Sequence, residues 1–437
     1  MQEIQLTDRP CGHVLTNANV WSPDSEWIVY DTRSDPAGEK FDGRTIEIVN
    51  VRTREVREIY RSQNGAHCGV ATFSPVASKV VFILGPENPT PNWQYSAAHR
   101  QGVVVDLGEP GRAITLDARD LTPPFTPGAL RGGTHVHVFS GDGEWVSFTY
   151  DDHVLETCEA AGAGSYERNQ RNVGVSVPVR AVRVPKTHPR NHDGSAFSVL
   201  VTCTVNEPQP GSDEISRACE DAWIGTNGYV RPDGMRQHRA IAFQGHVVSA
   251  DGQSIVEAYV VELPDDLTVA GEAPLEGTPT TRPAPPRGTS QRRLTRTLDR
   301  KYPGLQGPRH WLRSAPDGAQ IALLMRDERG IVQLWTVSPN GGEPRQITHH
   351  PFDVASAFSW SPDGRRIAYV ADQSVFVTEV ATGEVIRLTT RSEKRHSPRP
   401  EACVFSPDGC RIAYVRPLER AGQAWNQVFV VTCNRPI

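Results

Sequence analysis

Short apolar stretches along this chain end in an aromatic or small residue, break into a polar turn, and resume as runs of alternating β-branched and aromatic residues. The phrase appears as Trp21-Ser-Pro-Asp24-Ser-Glu-Trp-Ile-Val-Tyr30, Phe139-Ser-Gly-Asp142-Gly-Glu-Trp-Val-Ser-Phe148, Ala315-Pro-Asp317-Gly-Ala-Gln-Ile-Ala322, Trp360-Ser-Pro-Asp363-Gly-Arg-Arg-Ile-Ala-Tyr369 and Phe405-Ser-Pro-Asp408-Gly-Cys-Arg-Ile-Ala-Tyr414. Pro232-Asp233-Gly234 is an abbreviated copy and Phe73-Ser-Pro-Val-Ala-Ser-Lys-Val-Val-Phe82 a degenerate one, which brings the count to seven. Proline presets φ in the turn, Asp-Gly tolerates the tight reversal, and a hydrophobic period of two beyond it is a strand signature. Each copy therefore predicts a β-hairpin.

Spacing turns the hairpins into a fold. Asp317, Asp363 and Asp408 recur about 45 residues apart, the length of one four-stranded propeller blade. Each unit continues with two further strands, as in Val332–Val337 with Pro344–Thr348 and Ser374–Val380 with Val385–Thr389. The seventh unit offers only Gln427–Thr432 before the chain ends, while Glu3-Ile-Gln-Leu-Thr-Asp8 repeats the outer-strand phrase Pro344-Arg-Gln-Ile-Thr-His349. The expectation is an all-β, seven-bladed β-propeller closed by its N-terminal strand, an arrangement that leaves no open edge. Seven short blades need only about 300 residues, so the surplus is placed in insertions near 86–99, 151–219 and 264–291 of one domain spanning 1–437. The middle insertion holds strand-like runs, Val173–Val179 and Phe197–Val205, that complete the third blade. The last, with Pro279, Pro283, Pro285, Pro286 and Gly288, reads as a solvated surface loop.

Composition narrows the function classes. A formal net charge of -5 carries no basic footprint for nucleic acid. No apolar run approaches the roughly 20 residues that cross a bilayer, so no membrane partner is expected. The first residues lack a charged-then-apolar signal region, and the eight cysteines form no CxxC pair, so free thiols in the cytoplasm are expected.

Histidine placement is the sharpest chemical signal. Of fourteen histidines, His13, His67, His135, His137, His310, His349, His350 and His396 fall near the ring face opposite the Pro-Asp-Gly turns. Trp223 takes that place in the fourth repeat, with His246 nearby. In a strand, residues i and i+2 share a face about 6.6 Å apart, so His135 and His137 can converge on one ion, with His310 or His67 as a third ligand. The same pair can equally be hydrogen-bonded to channel carbonyls and water. Asp151 and His153, leaving the second strand of the third blade, offer a base or a plain acidic turn. Arg100 offers a carboxylate clamp or a surface charge. Trp93 and Trp223 can stack on a sugar ring or simply pack, and His396 joins them as a substrate-binding residue.

The Ser-Pro-Asp-Gly blades resemble TolB-like and dipeptidyl-peptidase-type propellers. More narrowly, Thr134-His-Val-His-Val-Phe-Ser-Gly-Asp-Gly143, with Leu84-Gly-Pro-Glu-Asn-Pro89 and Trp93-Gln-Tyr-Ser96, resembles a bacterial YidR-like family allied to oligogalacturonate lyase. The resemblance implies a seven-bladed ring whose three His and one Gln hold a manganese-type ion, and cleavage of a uronate sugar by β-elimination. Its His-x-His matches His135 and His137, but the Gln three residues before the pair is replaced by Gly132. A divalent transition metal, Mn, Zn or Fe, would stabilise the enolate beside a positioned base.

Three functions follow as expectations. The first is a metal-dependent lyase acting on an oxidised or uronate sugar, with an oligosaccharide or small-molecule substrate. The second is a non-catalytic TolB-like propeller that binds a protein partner. The third is a lactonase-type hydrolase, which would want Asp, Glu and Asn ligands for Ca²⁺. No Gly-x-Ser-x-Gly elbow is present, so peptidase activity is not expected.

Overall fold

The computed structural model describes residues 2–162, 166–420 and 422–433. Within them the chain lays down seven four-stranded antiparallel sheets in succession around an axis, the seven-bladed propeller that the repeats predict. From the axis outward, blade one is Gly12–Val14, Trp27–Arg33, Thr45–Asn50 and Val56–Arg61, and blade two is Cys68–Phe73, Lys79–Leu84, Gln101–Asp106 and Ala113–Thr115. Blade three is Gly132–Phe139, Val146–Asp152, Asn172–Val177 and Phe197–Leu200; blade four is Ala218–Trp223, Ala240–Val248, Ser254–Glu262 and Ser290–Arg293. Blades five and six run from Arg313 to Gln346 and from Ser359 to Arg387. The eight cysteines are unpaired.

Blade seven consists of Cys403–Phe405, Arg411–Arg420, Gln423–Thr432 and, as its outer strand, Glu3–Gln5. Glu3 pairs with Val431, Ile4 with Val430 and Gln5 with Phe429. Beyond the ladder, the Leu6 amide donates to the Val428 carbonyl at 2.9 Å and the Thr7 hydroxyl donates to Gln427 Oε1 at 2.9 Å. Leu6 is buried in a seam that joins Val20, Ile28 and Tyr30 of blade one to Val404, Val428 and Val430 of blade seven. Closure therefore combines a paired edge with burial of apolar surface.

The recurring turns are held from within. In blade six, Ser361 Oγ donates to Asp363 Oδ1 at 2.5 Å, and that oxygen also accepts the Arg365 N–H at 3.0 Å. The Arg366 amide then donates to Ser361 Oγ at 2.9 Å. The same triangle recurs at Ser22-Asp24, Ser140-Asp142 and Ser406-Asp408. A Ser/Asp side chain that satisfies turn amides explains why the phrase recurs wherever the chain must reverse.

Two sequence expectations need correction. Pro232-Asp233-Gly234 is not the hairpin turn of blade four. It tips an extra two-stranded ribbon, Tyr229–Val230 with Arg236–Gln237, inserted between that blade's first two strands. The segment between Pro264 and Gln291 is also more than a solvated loop. Leu267 and Leu275 are buried in the core between blades three and four, and the carbonyls of Thr278 and Thr281 accept hydrogen bonds from the buried Arg131 guanidinium. Its proline content disguises these anchors. The segment after Asp152 does hold the outer strands of blade three, as expected, together with one helix, His153–Ala161. Among the described residues no helix is long and apolar enough to cross a membrane.

Candidate functional site

The innermost strands of blades two, three and four share a defect that aims side chains at the axis. Each carries a β-bulge centred on a residue in the left-handed region: Val70 at φ 59°, Val136 at φ 53° and Glu220 at φ 53°. Non-glycine residues in that region cost of order 1 kcal/mol and tend to sit where function needs a redirected side chain. The bulge at Val136 also breaks the period of two between His135 and His137.

His135 and His137 accordingly part company. His135 lines an axial cavity of about 420 Å³ together with Val14, Asn17, Arg309, Trp311 and Glu401. His137 is fully buried between blades, with its ring centroid 6.0 Å from that of Phe148. It lies so close to blade two that a Cβ on Gly102 would come within 2.5 Å of its Nε2. The proposed third ligands do not complete a site either. His310 is committed to the backbone: its Nδ1 donates to the Pro308 carbonyl at 2.9 Å and its Nε2 accepts the Leu324 N–H at 3.2 Å. His67 is half-buried ahead of the inner strand of blade two. Among the described residues, none of these four histidines belongs to a cluster of three closely spaced metal-ligating groups. Of the expected set His135, His137, His310 and His67, the bulge gives the first two different surroundings, while both ring nitrogens of His137, like His135 Nδ1, are buried without hydrogen-bond partners.

Arg309 lines the cavity, and the charges of Arg100 and Arg171 also reach His135. Burial first, then the charges of Arg100, Arg309 and Arg171, hold the His135 pKa well below its ordinary value, so the ring is neutral at neutral pH. Arg309 pairs with Glu220 through Nε at 2.8 Å and Nη2 at 3.1 Å, and stacks on Trp311 at 4.6 Å. Arg171 pairs with Asp151 at 2.9 Å. Arg100 lies 5.1 Å from the Tyr95 ring and has no carboxylate partner among the described residues. His135 Nδ1, Arg100 Nε and Asn17 Oδ1 are buried without hydrogen-bond partners. Arg171, Arg309 and Glu220 carry no motif and are separated by tens of residues, so nothing short of the ring's curvature reveals their convergence.

The remaining expected residues scatter. Asp151 is occupied by Arg171 and is not a free base. His153 opens the helix capped by Asp152, whose Oδ1 accepts the Leu155 N–H at 3.0 Å. Trp93 is buried and stacks on His99 at 3.7 Å, with His153 edge-on at 4.7 Å, so neither imidazole leaves it as a free sugar platform. Trp223 ends its strand near the turn face, beside Ser140 and Asp142, and its Nε1 donates to the Val138 carbonyl at 3.0 Å. It was expected at the opposite end, because the inner strand of blade four begins five residues earlier than the turn count implies. His396 sits in a single 3-10 turn, Lys394–His396, 3.9 Å from Glu419.

Comparison with known proteins follows the same lines. Over 425 residues, 96% of this chain and 95% of its counterpart, the sequence is 50% identical to the Escherichia coli (strain K12) protein called Uncharacterized protein YidR. The chain belongs to the YidR family. Residues 67–192 match a family described as Protein of unknown function (DUF3748), and residues 332–421 match the Dipeptidyl peptidase IV N-terminal region. An oligogalacturonate lyase in complex with manganese superposes with TM-score 0.54 at 10% identity, covering 99% of this chain and 93% of that one. The oligogalacturonate lyase of Vibrio parahaemolyticus gives 0.52 at 9%, covering 98% and 93%. At that identity the likeness is one of fold.

Proposed function

We propose that this YidR-family propeller binds an acidic sugar, a uronate or an oligosaccharide carrying one, in its axial funnel and cleaves it by β-elimination. The observation that carries this reading is the group of three guanidiniums, Arg100, Arg171 and Arg309, whose charges act together on His135. Arg100 is the uncompensated member, and a guanidinium fork matches a ligand carboxylate. A cavity of about 420 Å³ suits a sugar ring. Trp311 supplies an aromatic wall beneath Arg309.

In the reaction, the proton α to the carboxylate passes to a base and the bond from the β carbon to oxygen breaks. The departing oxygen keeps the electron pair and takes a proton from water, and a carbon–carbon double bond is left conjugated with the carboxylate. Arg100 stabilises the negative charge that develops on the carboxylate. Neutral His135 accepts the proton. A bound carboxylate offsets the surrounding guanidinium charge, so its arrival raises the basicity of the ring against the larger effect of burial.

The test is calorimetric binding of uronate oligomers, with neutral oligomers as controls, alongside the ultraviolet absorbance of the conjugated product. Arg100→Ala should weaken binding by about 1.5–3 kcal/mol, roughly tenfold to a hundredfold. His135→Ala should abolish turnover and spare binding. Equal affinity of wild type and Arg100→Ala, or no preference for acidic over neutral oligomers, would remove the reading.

A further inference from the structure

We infer that His99, His153 and Glu156 form a divalent-metal site of the zinc type at the rim of the ring, separate from the funnel wall. The insertion between the second and third strands of blade two brings His99 to the start of Gln101–Asp106, and the helix leaving blade three brings His153 and Glu156 one turn apart on one face. Each offers one ligand atom, and the three atoms lie within 4.8 Å of one another. No other group of three such residues does so among the described residues.

The local hydrogen bonds prepare lone pairs. His99 Nδ1 lies 2.6 Å from the Gln94 carbonyl, and a carbonyl only accepts, so the proton is on Nδ1 and Nε2 presents a lone pair. A carbonyl behind the ring is the usual way that a ligating imidazole is oriented. That Nε2 faces His153 Nδ1 at 3.1 Å. Two ligands about 2.0–2.1 Å from one tetrahedral ion stand about 3.3 Å apart, close to the spacing seen. Glu156 Oε2 is 3.9 Å from the same His153 nitrogen. Either the hydrogen of a neutral His153 Nδ1–H or a metal ion stands between the two ring nitrogens. The carboxylate in third position favours the metal.

The scaffold is rigid. Trp93 stacks on His99 at 3.7 Å, and Asp152, the helix cap preceding His153, is locked to buried Arg131 at 2.6 Å. Arg119 and Arg190, each 5.6 Å from the Trp93 ring, spend donors on backbone carbonyls: Arg119 on Gly132 and Arg100, Arg190 on Glu87 and Asn88. His153 and Glu156 are partly exposed, with side chains 24% and 48% accessible, so solvent or substrate oxygen can fill the remaining coordination positions. Two imidazoles and one carboxylate suit Zn²⁺ and Co²⁺.

The experiment uses the full chain stripped with chelator. Zn²⁺ is titrated calorimetrically, Co²⁺ is followed by its visible d–d absorption, and bound metal is counted by mass spectrometry. Wild type should take one equivalent and gain thermal stability. His153→Ala should lose the equivalent, and Glu156→Gln should weaken it by about tenfold. Both positions are partly exposed, so the ring should still fold, and far-ultraviolet dichroism checks that. His135→Ala should bind as wild type does, which separates this site from the acidic-sugar reading of the funnel. Absence of a saturable equivalent in wild type would overturn the inference. So would an unchanged Co²⁺ spectrum in His153→Ala, or loss of the metal in His135→Ala alone.

Discussion

Arg131 is among the largest fully buried side chains, and its replacement by Met should be among the most damaging single changes in the protein. Its Nε and Nη2 donate to Asp152 Oδ2 at 3.1 and 2.6 Å, with side-chain exposures of 0% and 2% for the pair. The same guanidinium donates to the carbonyls of Thr278 and, at 3.0 Å, Thr281, so it ties the long segment of blade four to blade three. Methionine roughly fills the space but leaves Asp152 charged, with only the Tyr150 hydroxyl at 3.1 Å and the Leu155 amide at 3.0 Å as partners. Breaking a buried pair on one side costs about 3–5 kcal/mol, most of it from the stranded charge. That is a large share of the 5–15 kcal/mol typical of a folded protein. Urea unfolding followed by tryptophan fluorescence measures it, with m checked for constancy. The double variant Arg131→Met, Asp152→Asn should recover part of the loss, because the stranded group becomes neutral. A single-variant cost below about 1 kcal/mol, or strict additivity in the double-mutant cycle, would refute the reasoning.

Three further outcomes are expected. Deleting residues 1–9 removes the outer strand of blade seven and the buried Leu6; it should expose the Gln423–Thr432 edge and give aggregation or a large fall in melting temperature, and an unchanged monomeric melt would count against strand closure. Asp363→Ala removes an acceptor that serves only its own turn; it should cost about 1 kcal/mol by urea titration and leave sugar and metal binding intact. His137 has its pKa pulled down to about 3, by burial first and by Arg100 second, so below about pH 6.5 the unfolded chain binds a proton that the folded ring refuses. The stability difference should therefore shift toward His137→Leu by about 1.4 kcal/mol for each pH unit below 6.5, and parallel stability–pH curves for the two proteins would contradict the burial of this ring.

The hairpin phrase determined the architecture because its information is local. Ser361 and Asp363 satisfy amides within five residues, so the turn is written wherever those residues stand together, and the spacing of the turns sets blade length. The closing strand was legible for the same reason, since Glu3–Gln5 repeats an outer-strand pattern. What lay beyond the sequence was the direction in which side chains point. A bulge at Val136, visible only once Val138 is paired with Ser147, sends His135 to the funnel and His137 to the interior. The charges of Arg100, Arg171 and Arg309 reach His135 together because three blades curve around one axis. His99 meets His153 and Glu156 because two connections, from neighbouring blades, fold over the same rim. Local chemistry dictates hairpins; a site assembled from residues 54 positions apart in sequence, as His99 and His153 are, exists only after closure of the ring fixes how the blades stand beside one another.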